Sequence, residues 1–296
     1  MTIVKEKSFK QLKSVKDDKF SIDKIEHYCL IIQIGNSDLQ ATIVDTSQNR
    51  VLLLEDYILH NVSSTEEKIE QLKSLFESHH LLMVGFWKEV IVCFKSDKFA
   101  LVPLSLFSKD NARALLKMNC KVSQEDSVGY YKVNANNSVN IFTYDKAVLN
   151  WFRSVYTNSK IKVTQQSGAL VNSALKANKK TKMPLVVDLY IDRFYLHASV
   201  SSENKIVFFN SFQISKFNEY IKYIALVLHE FSLTKSSEAI VVWGHIKEHS
   251  SHFAALKEKF TGIKLGTRTT DLNFGYKFDE IPEHQYFDVF GNYFNL

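Results

Sequence analysis

The sequence predicts an α/β protein built from two successive halves, each a mixed five-stranded sheet flanked by helices. Three observations carry that expectation. The order strand, strand, strand, helix, strand, helix, strand occurs twice along the chain. The chain has 296 residues, too many for one compact core of ordinary size and enough for two. Only 9 Gly and 3 Pro are present, so a short turn rather than a long linker is expected to join the halves.

In the first half, residues 28–34 (YCLIIQI) form a continuous apolar run that turns at Gly35. Residues 39–44 read as a second strand, and the polar stretch 46–50 turns into a third at 51–59, completing a meander. Ser64 then precedes Thr65, Glu66 and Glu67, an N-cap with acids in the first turn. Ile69, Leu72, Leu75 and Phe76 follow at helical spacing. A strand at 90–94 leads into extra material, a strand at 99–103, a helix near 109–118 and a strand around 128–133. The main order is expected to resume with a strand at 139–143, a helix at 147–156, a strand at 161–165 and a short helix at 169–177.

The second half repeats the pattern. Strands are read at 185–189 (LVVDL), 194–200 and 205–214. A helix follows in which Phe217, Tyr220, Ile221, Ile224, Leu228 and Phe231 share one face. A buried-type strand at 239–243 (AIVVW), a helix at 251–260 and a final strand at 263–265 complete it. The predicted organisation is an N-terminal tail at 1–24, a first domain at 25–182 with an insertion at about 97–137, and a second domain at 183–296. The second domain ends in an aromatic segment that includes Phe274, Tyr276, Phe278, Tyr286, Phe287, Phe290, Tyr293 and Phe294.

Hydrophobic residues make up 45% of the chain and charged residues 23%, the balance of a globular protein. The formal net charge of +5 is mild for this length. The nearest basic cluster, Lys5, Lys7, Lys10, Lys13, Lys16 and Lys19, is interrupted by Glu6, Asp17 and Asp18, and no nucleic-acid partner is expected. Cys29, Cys93 and Cys120 are scattered singly with no CxxC pair, which favours a reduced, cytoplasmic setting. No segment approaches the apolar length that spans a bilayer, and the N-terminus lacks an apolar signal core.

His245, Glu248 and His249 match the HxxEH pattern of a zinc protease, which needs both histidines on one helical face. His245 directly follows a strand and Gly244, so a turn is expected there and no metal site is assigned. His252, one turn further on, reads as part of a solvated helix start. His79 and His80 end a helix, where imidazoles suit the negative end of the dipole. No two glycines are separated by a single residue, which excludes GxGxxG; neither a Walker-type loop nor GxSxG occurs.

Each half follows the RNase H-like order, a meander feeding parallel strands covered by helices. Two such halves, with an insertion after the first half's fourth strand, resemble the actin-like ATPase superfamily. The sequence resembles an uncharacterised bacterial family of that fold with no assigned function, distantly similar to the pilus-assembly and cell-division proteins PilM and FtsA. The resemblance covers nearly the whole chain and rests on order and spacing.

The resemblance implies an ATP-binding cleft between the halves, lined by three motifs. The first strand of active members ends Asp-x-Gly, whose carboxylate helps hold hydrated magnesium. The matching residues here are Gln33, Ile34 and Gly35, so the glycine is kept and the charge is lost. The second half of active members opens with another Asp-x-Gly, here Asp188, Leu189 and Tyr190. Tyr190 stands where glycine lets the backbone approach phosphate, and its side chain would occupy that space. The third motif, apolar-x-Gly-Gly, lines the adenosine and reads Val242, Trp243, Gly244 and His245, with Trp243 or His245 placed to stack on a base. Asp192, four residues from Asp188, is expected to cap the turn rather than join it in holding a cation. The cofactor-binding positions are therefore Gln33, Gly35, Asp188, Tyr190 and Gly244 in degenerate form, with no catalytic residue and no metal ligand assigned.

Joint drift of all three motifs points to lost hydrolysis. The expected function is that of a catalytically inactive actin-like protein acting as an interaction or scaffold module. It would be a monomer or weak dimer with an unidentified protein partner and no cofactor. The alternative is a nucleotide-dependent ATPase or sugar-kinase-like enzyme that uses Asp188 with ATP and magnesium. The aromatic C-terminal segment is expected to dock on its own domain; the competing reading offers it to a partner.

Overall fold

The computed structural model describes residues 9–234 and 239–295. The chain divides into two units. One holds the chain up to Lys132, Val139–Gln166 and Asp271–Glu280; the other holds Val133–Ser138, Ser167–Thr270 and the chain from Ile281 onward.

In the first unit, β1 (Phe9–Lys16) precedes the meander β2 (Tyr28–Ile34), β3 (Asp38–Asp45) and β4 (Arg50–Leu59). Next come α1 (Thr65–Glu77) and β5 (Glu89–Phe94). An inserted run follows: β6 (Phe99–Pro103), α2 (Ala112–Asn119), β7 (Ser127–Val133) and β8 (Ser138–Tyr144). The main order returns with α3 (Lys146–Val155) and β9 (Lys160–Gln165). The large sheet has the order β1-β4-β3-β2-β5-β9, with β2 antiparallel to β3 and parallel to β5. β2 is buried along its whole length, as an unbroken apolar run requires of a central strand. Ser64 caps α1, its side chain accepting from the Glu67 N–H.

Two placements in this unit differ from the pattern read in the sequence. The segment 1–24, read as a tail, contains β1, which pairs antiparallel with β4 and makes this sheet six-stranded. Most β1 side chains are exposed. An edge strand of that kind carries little apolar periodicity, and what recruits it is the open hydrogen-bonding edge of β4. The second difference is β8. It does not resume the large sheet but forms the centre of a separate three-stranded sheet, β6-β8-β7, around Ala100, Val102, Leu116 and Ile141. A short buried strand has the same apolar signature in either sheet, so local pattern does not assign it.

The second unit contains α4 (Gln166–Asn178) from Ser167 on, and then β10 (Val186–Ile191), β11 (Tyr195–Ser202) and β12 (Lys205–Gln213). α5 (Phe217–Glu230), β13 (Ile240–Gly244), α6 (Ser251–Lys259), β14 (Lys264–Leu265) and the short α7 (Phe287–Gly291) follow. The sheet order is β12-β11-β10-β13-β14, with β10 antiparallel to β11 and parallel to β13.

The two-residue period of β10 and β13 divides this sheet into two chemically different faces. Val187, Leu189, Ile240 and Val242 pack with Ile224 and Leu228 of α5 and with Phe253 and Leu256 of α6. Val186, Tyr190, Val241 and Trp243 belong to a separate cluster with Leu170 of α4 and Phe287 of α7. That second face carries Tyr190 and Trp243 of the sequence-predicted motifs, while Leu189 and Val242 lie on the first. Among the described residues no helix is long and apolar enough to cross a membrane.

Candidate functional site

Gln33 and Gly35 lie in the first unit, at the end of β2 and in the turn after it. Gln33 is fully buried. Its Oε1 accepts from Cys93 Sγ at 3.5 Å, and its Nε2 donates to Gln40 Oε1 at 3.5 Å. Gln40 in turn donates to Asp38 Oδ2 at 3.1 Å and to Asp56 Oδ1 at 2.8 Å. The amide at position 33 therefore supplies a donor that a carboxylate lacks. A carboxylate there would stand beside two buried carboxylates, Asp38 and Asp56, a costly arrangement. Lys95 Nζ pairs with Asp38 Oδ2 at 2.7 Å, and the Gly35 N–H donates to the Asp38 carbonyl at 3.0 Å. The turn after β2 is thus tied by a buried ion pair.

Asp188, Tyr190 and Gly244 lie together in the second unit, on neighbouring strands. Register places Tyr190 opposite Trp243 and Ile191 opposite Gly244. Asp188 is buried, and both its oxygens are engaged. Oδ1 accepts from Trp243 Nε1 at 2.8 Å, and Oδ2 accepts from Asn178 Nδ2 at 2.6 Å. Burial pushes the Asp188 carboxyl up to about 6, against the downward pull of those two hydrogen bonds. Asn178 also donates to Ser201 Oγ at 3.0 Å. It ends α4, so the helix that follows the first half's last strand supplies a partner to the second half's key carboxyl.

Tyr190 is also buried, and its hydroxyl donates to Asp288 Oδ1 at 2.5 Å. Burial, reinforced by the charge of Asp288, holds the phenol well above its ordinary pKa, so it stays a donor. Trp243 stacks on Phe287 with ring centroids 3.7 Å apart and planes 12° from parallel. A Cβ on Gly266 would collide with the six-membered ring of the same indole. The Trp243 ring is covered by its own chain and is not open to a base. His245 makes an edge contact with Tyr286, its ring centroid 5.6 Å away.

Gly244 has φ of +93°, and a Cβ there would collide with the Ile191 carbonyl oxygen, so glycine is required by the backbone itself. Its N–H donates to the His284 carbonyl at 2.8 Å. The His284 ring closes the same turn through Nε2, which donates to the Ile246 carbonyl at 2.6 Å. Burial holds the His284 imidazole below its ordinary pKa. Asp192 sits in the β10–β11 turn, its carboxylate accepting from the Arg193 N–H at 2.7 Å.

The aromatic segment, expected to dock as one piece on the second domain, is divided: Phe274, Tyr276 and Phe278 belong to the first unit, and only the part from Ile281 onward docks on the second. Tyr286, Phe287, Val289 and Phe290 are buried, Ser173 Oγ donates to the Phe287 carbonyl at 2.9 Å, and Asn172 Nδ2 donates to Asn295 Oδ1 at 2.5 Å. The partners Asn178, Phe287 and Asp288 carry no motif signature. The only sequence signal for them is the density of aromatics after residue 273. His245 and His249 lie in the turn between β13 and α6 rather than on a helix, and His252 stacks on Phe217 at 4.6 Å. Among the described residues no group of three or more His, Cys, Asp or Glu is arranged to hold a metal ion.

The family model described as "Protein of unknown function (DUF3822)" matches residues 17–261, and the chain belongs to that family. A search of curated proteins gives no match. Among solved structures, the chain is similar to a Bacteroides thetaiotaomicron protein with an actin-like ATPase fold and unknown function. The TM-score is 0.72 at 17% identity, covering 83% of this chain and 93% of that one. It is also similar to a chain of the PilM–PilN type IV pilus biogenesis complex, with a TM-score of 0.63 at 12% identity over 89% and 96% of the respective chains. The fold is that of the actin-like ATPases.

Proposed function

We propose that this member of the DUF3822 family is a catalytically inactive actin-like protein that serves as a protein-interaction or scaffold module. The observation that carries the reading is the occupied face of the second unit's sheet. Asp188 is committed to Trp243 and Asn178, Tyr190 to Asp288, and Trp243 to Phe287. A magnesium-bound triphosphate needs open carboxylate oxygens and backbone that phosphate can approach closely. Here a side chain or the chain's own α7 stands at each such place. Gln33, neutral and engaged with Gln40 and Cys93, offers the cation no charge. Support for a binding role comes from the solved chain of similar fold that belongs to the PilM–PilN complex.

Titration calorimetry with ATP and magnesium tests the proposal, and the expected result is no binding up to millimolar nucleotide. Micromolar binding that Asp188→Ala abolishes would overturn it in favour of an ATPase or sugar-kinase-like enzyme using Asp188. Binding without phosphate release would reduce the claim to lost turnover.

A further inference from the structure

We infer that the Tyr190–Trp243 face of the second unit is a recognition site for a short peptide carrying an aromatic residue followed by aspartate. The chain's own residues 286–295 are its resident occupant. This rests on the interaction-module reading above and names the site and the chemistry of the partner.

Three anchors define the site, and each comes from an element outside the occupant. The first is a ring slot: Trp243 stacks on Phe287 at 3.7 Å, while the absence of a side chain at Gly266 lets the indole seat against the backbone. The second is a carboxylate anchor, the Tyr190 hydroxyl donating to Asp288 at 2.5 Å. The third is a main-chain anchor: Ser173 donates to the Phe287 carbonyl, a contact that any residue at that place can accept. Adjacent residues, Phe287 and Asp288, thus fill an aromatic slot and a polar one together, the pattern of a two-residue recognition motif.

Receptor and occupant also differ in where they fall along the chain. Ser173, Tyr190 and Trp243 lie inside the family-matched stretch 17–261, and Phe287 and Asp288 lie outside it. The α7 helix is five residues long, too short to be stable alone, so its conformation is imposed by the face it sits on. A partner segment with the same aromatic–Asp pair meets the same three anchors and takes the same conformation. Exchange of a resident segment for an equivalent one costs little beyond the lost tether.

The tether sets the scale of the test. A resident segment is held at an effective concentration of about 1 mM. Removing the Phe287 ring weakens it by about 100-fold, near the lower end of the usual cost of deleting a buried phenyl ring. The full-length Phe287→Ala chain is therefore expected to bind a fluorescein-labelled peptide of residues 281–295, read by anisotropy, with half-saturation on the order of 10 μM. The unaltered chain is expected to bind it about 100-fold more weakly, because its site is filled. The same peptide carrying Phe287→Ala should lose about 100-fold on the Phe287→Ala chain.

A folded Phe287→Ala chain that binds both peptides alike, or neither, overturns the inference. Should that chain not fold by circular dichroism, the milder Asp288→Asn chain, which keeps both rings, replaces it. There the expected half-saturation is on the order of 100 μM, and no binding at 1 mM overturns the inference. Failure here leaves the interaction-module reading standing on another surface. ATP–magnesium binding would remove that reading without bearing on the peptide result.

Discussion

Asp188→Asn is expected to stabilise the protein at neutral pH, although Asp188 is the residue that the actin-like resemblance would assign to a nucleotide site. In the folded chain the carboxyl is buried and pushed from 3.8 up to about 6. Between those values the folded state holds a proton that the unfolded state has released, so stability falls as pH rises through the window and is flat above it. At about 1.4 kcal/mol per pH unit, the ionised carboxylate costs about 3 kcal/mol above pH 6. An amide of the same shape accepts from Trp243 Nε1 as before. The Asn178 amide can turn so that its oxygen meets the new NH2 group and the Ser201 hydroxyl. Urea unfolding of both proteins at intervals from pH 3.5 to pH 8, followed by tryptophan fluorescence and circular dichroism, measures the difference. The variant should gain up to about 3 kcal/mol at pH 7.5 and nothing below pH 4. A variant no more stable than the parent at pH 7.5, or a gain independent of pH, refutes the reasoning about Asp188.

Two further outcomes test the turn after β13. Gly244→Ala places a Cβ against the Ile191 carbonyl at φ of +93° and should cost at least about 2 kcal/mol in the same unfolding assay; a neutral effect would show that the turn relaxes freely. The His284 imidazole is held below its ordinary pKa by burial, so the unfolded state takes up a proton first and the parent loses stability as pH falls below 6.5. His284→Gln keeps an N–H for the Ile246 carbonyl and does not titrate, so the parent should weaken relative to it on acidification. Parallel pH profiles for the two would exclude His284 as the titrating group.

Much of the fold was legible locally. The β2 run YCLIIQI, the Ser64 cap and the apolar face of α5 each declare themselves within a dozen residues, because backbone hydrogen bonding and side-chain period act over that range. The pairing of β1 with β4 and the placing of β8 in the small sheet were not. Both depend on which strand edge is open, a property of distant segments. In the candidate site, Gln33, Gly35, Asp188, Tyr190 and Gly244 were named from position alone, and the structure gathers the last three on two neighbouring strands. The Gln33–Gln40–Asp56 chain was not legible, because cross-strand neighbours are set by register rather than by sequence separation.

Residue order alone determines that this chain makes two meander-led α/β units, and it raises the expectation that its motif positions have drifted from those of an active nucleotide site. Whether the drifted face stands open or filled is a different kind of question. Tyr190 alone would narrow a pocket, but it is the arrival of Asp288, 98 residues later, that turns its hydroxyl into a tether. Phe287 closes over Trp243 in the same way, and Asn178 reaches Asp188 from a helix that follows the first unit's last strand. Such contacts form because burial of an aromatic or an ionisable group is favourable only when a complementary surface is brought to it. Which surface arrives is decided by the packing of whole elements, not by any local run of residues.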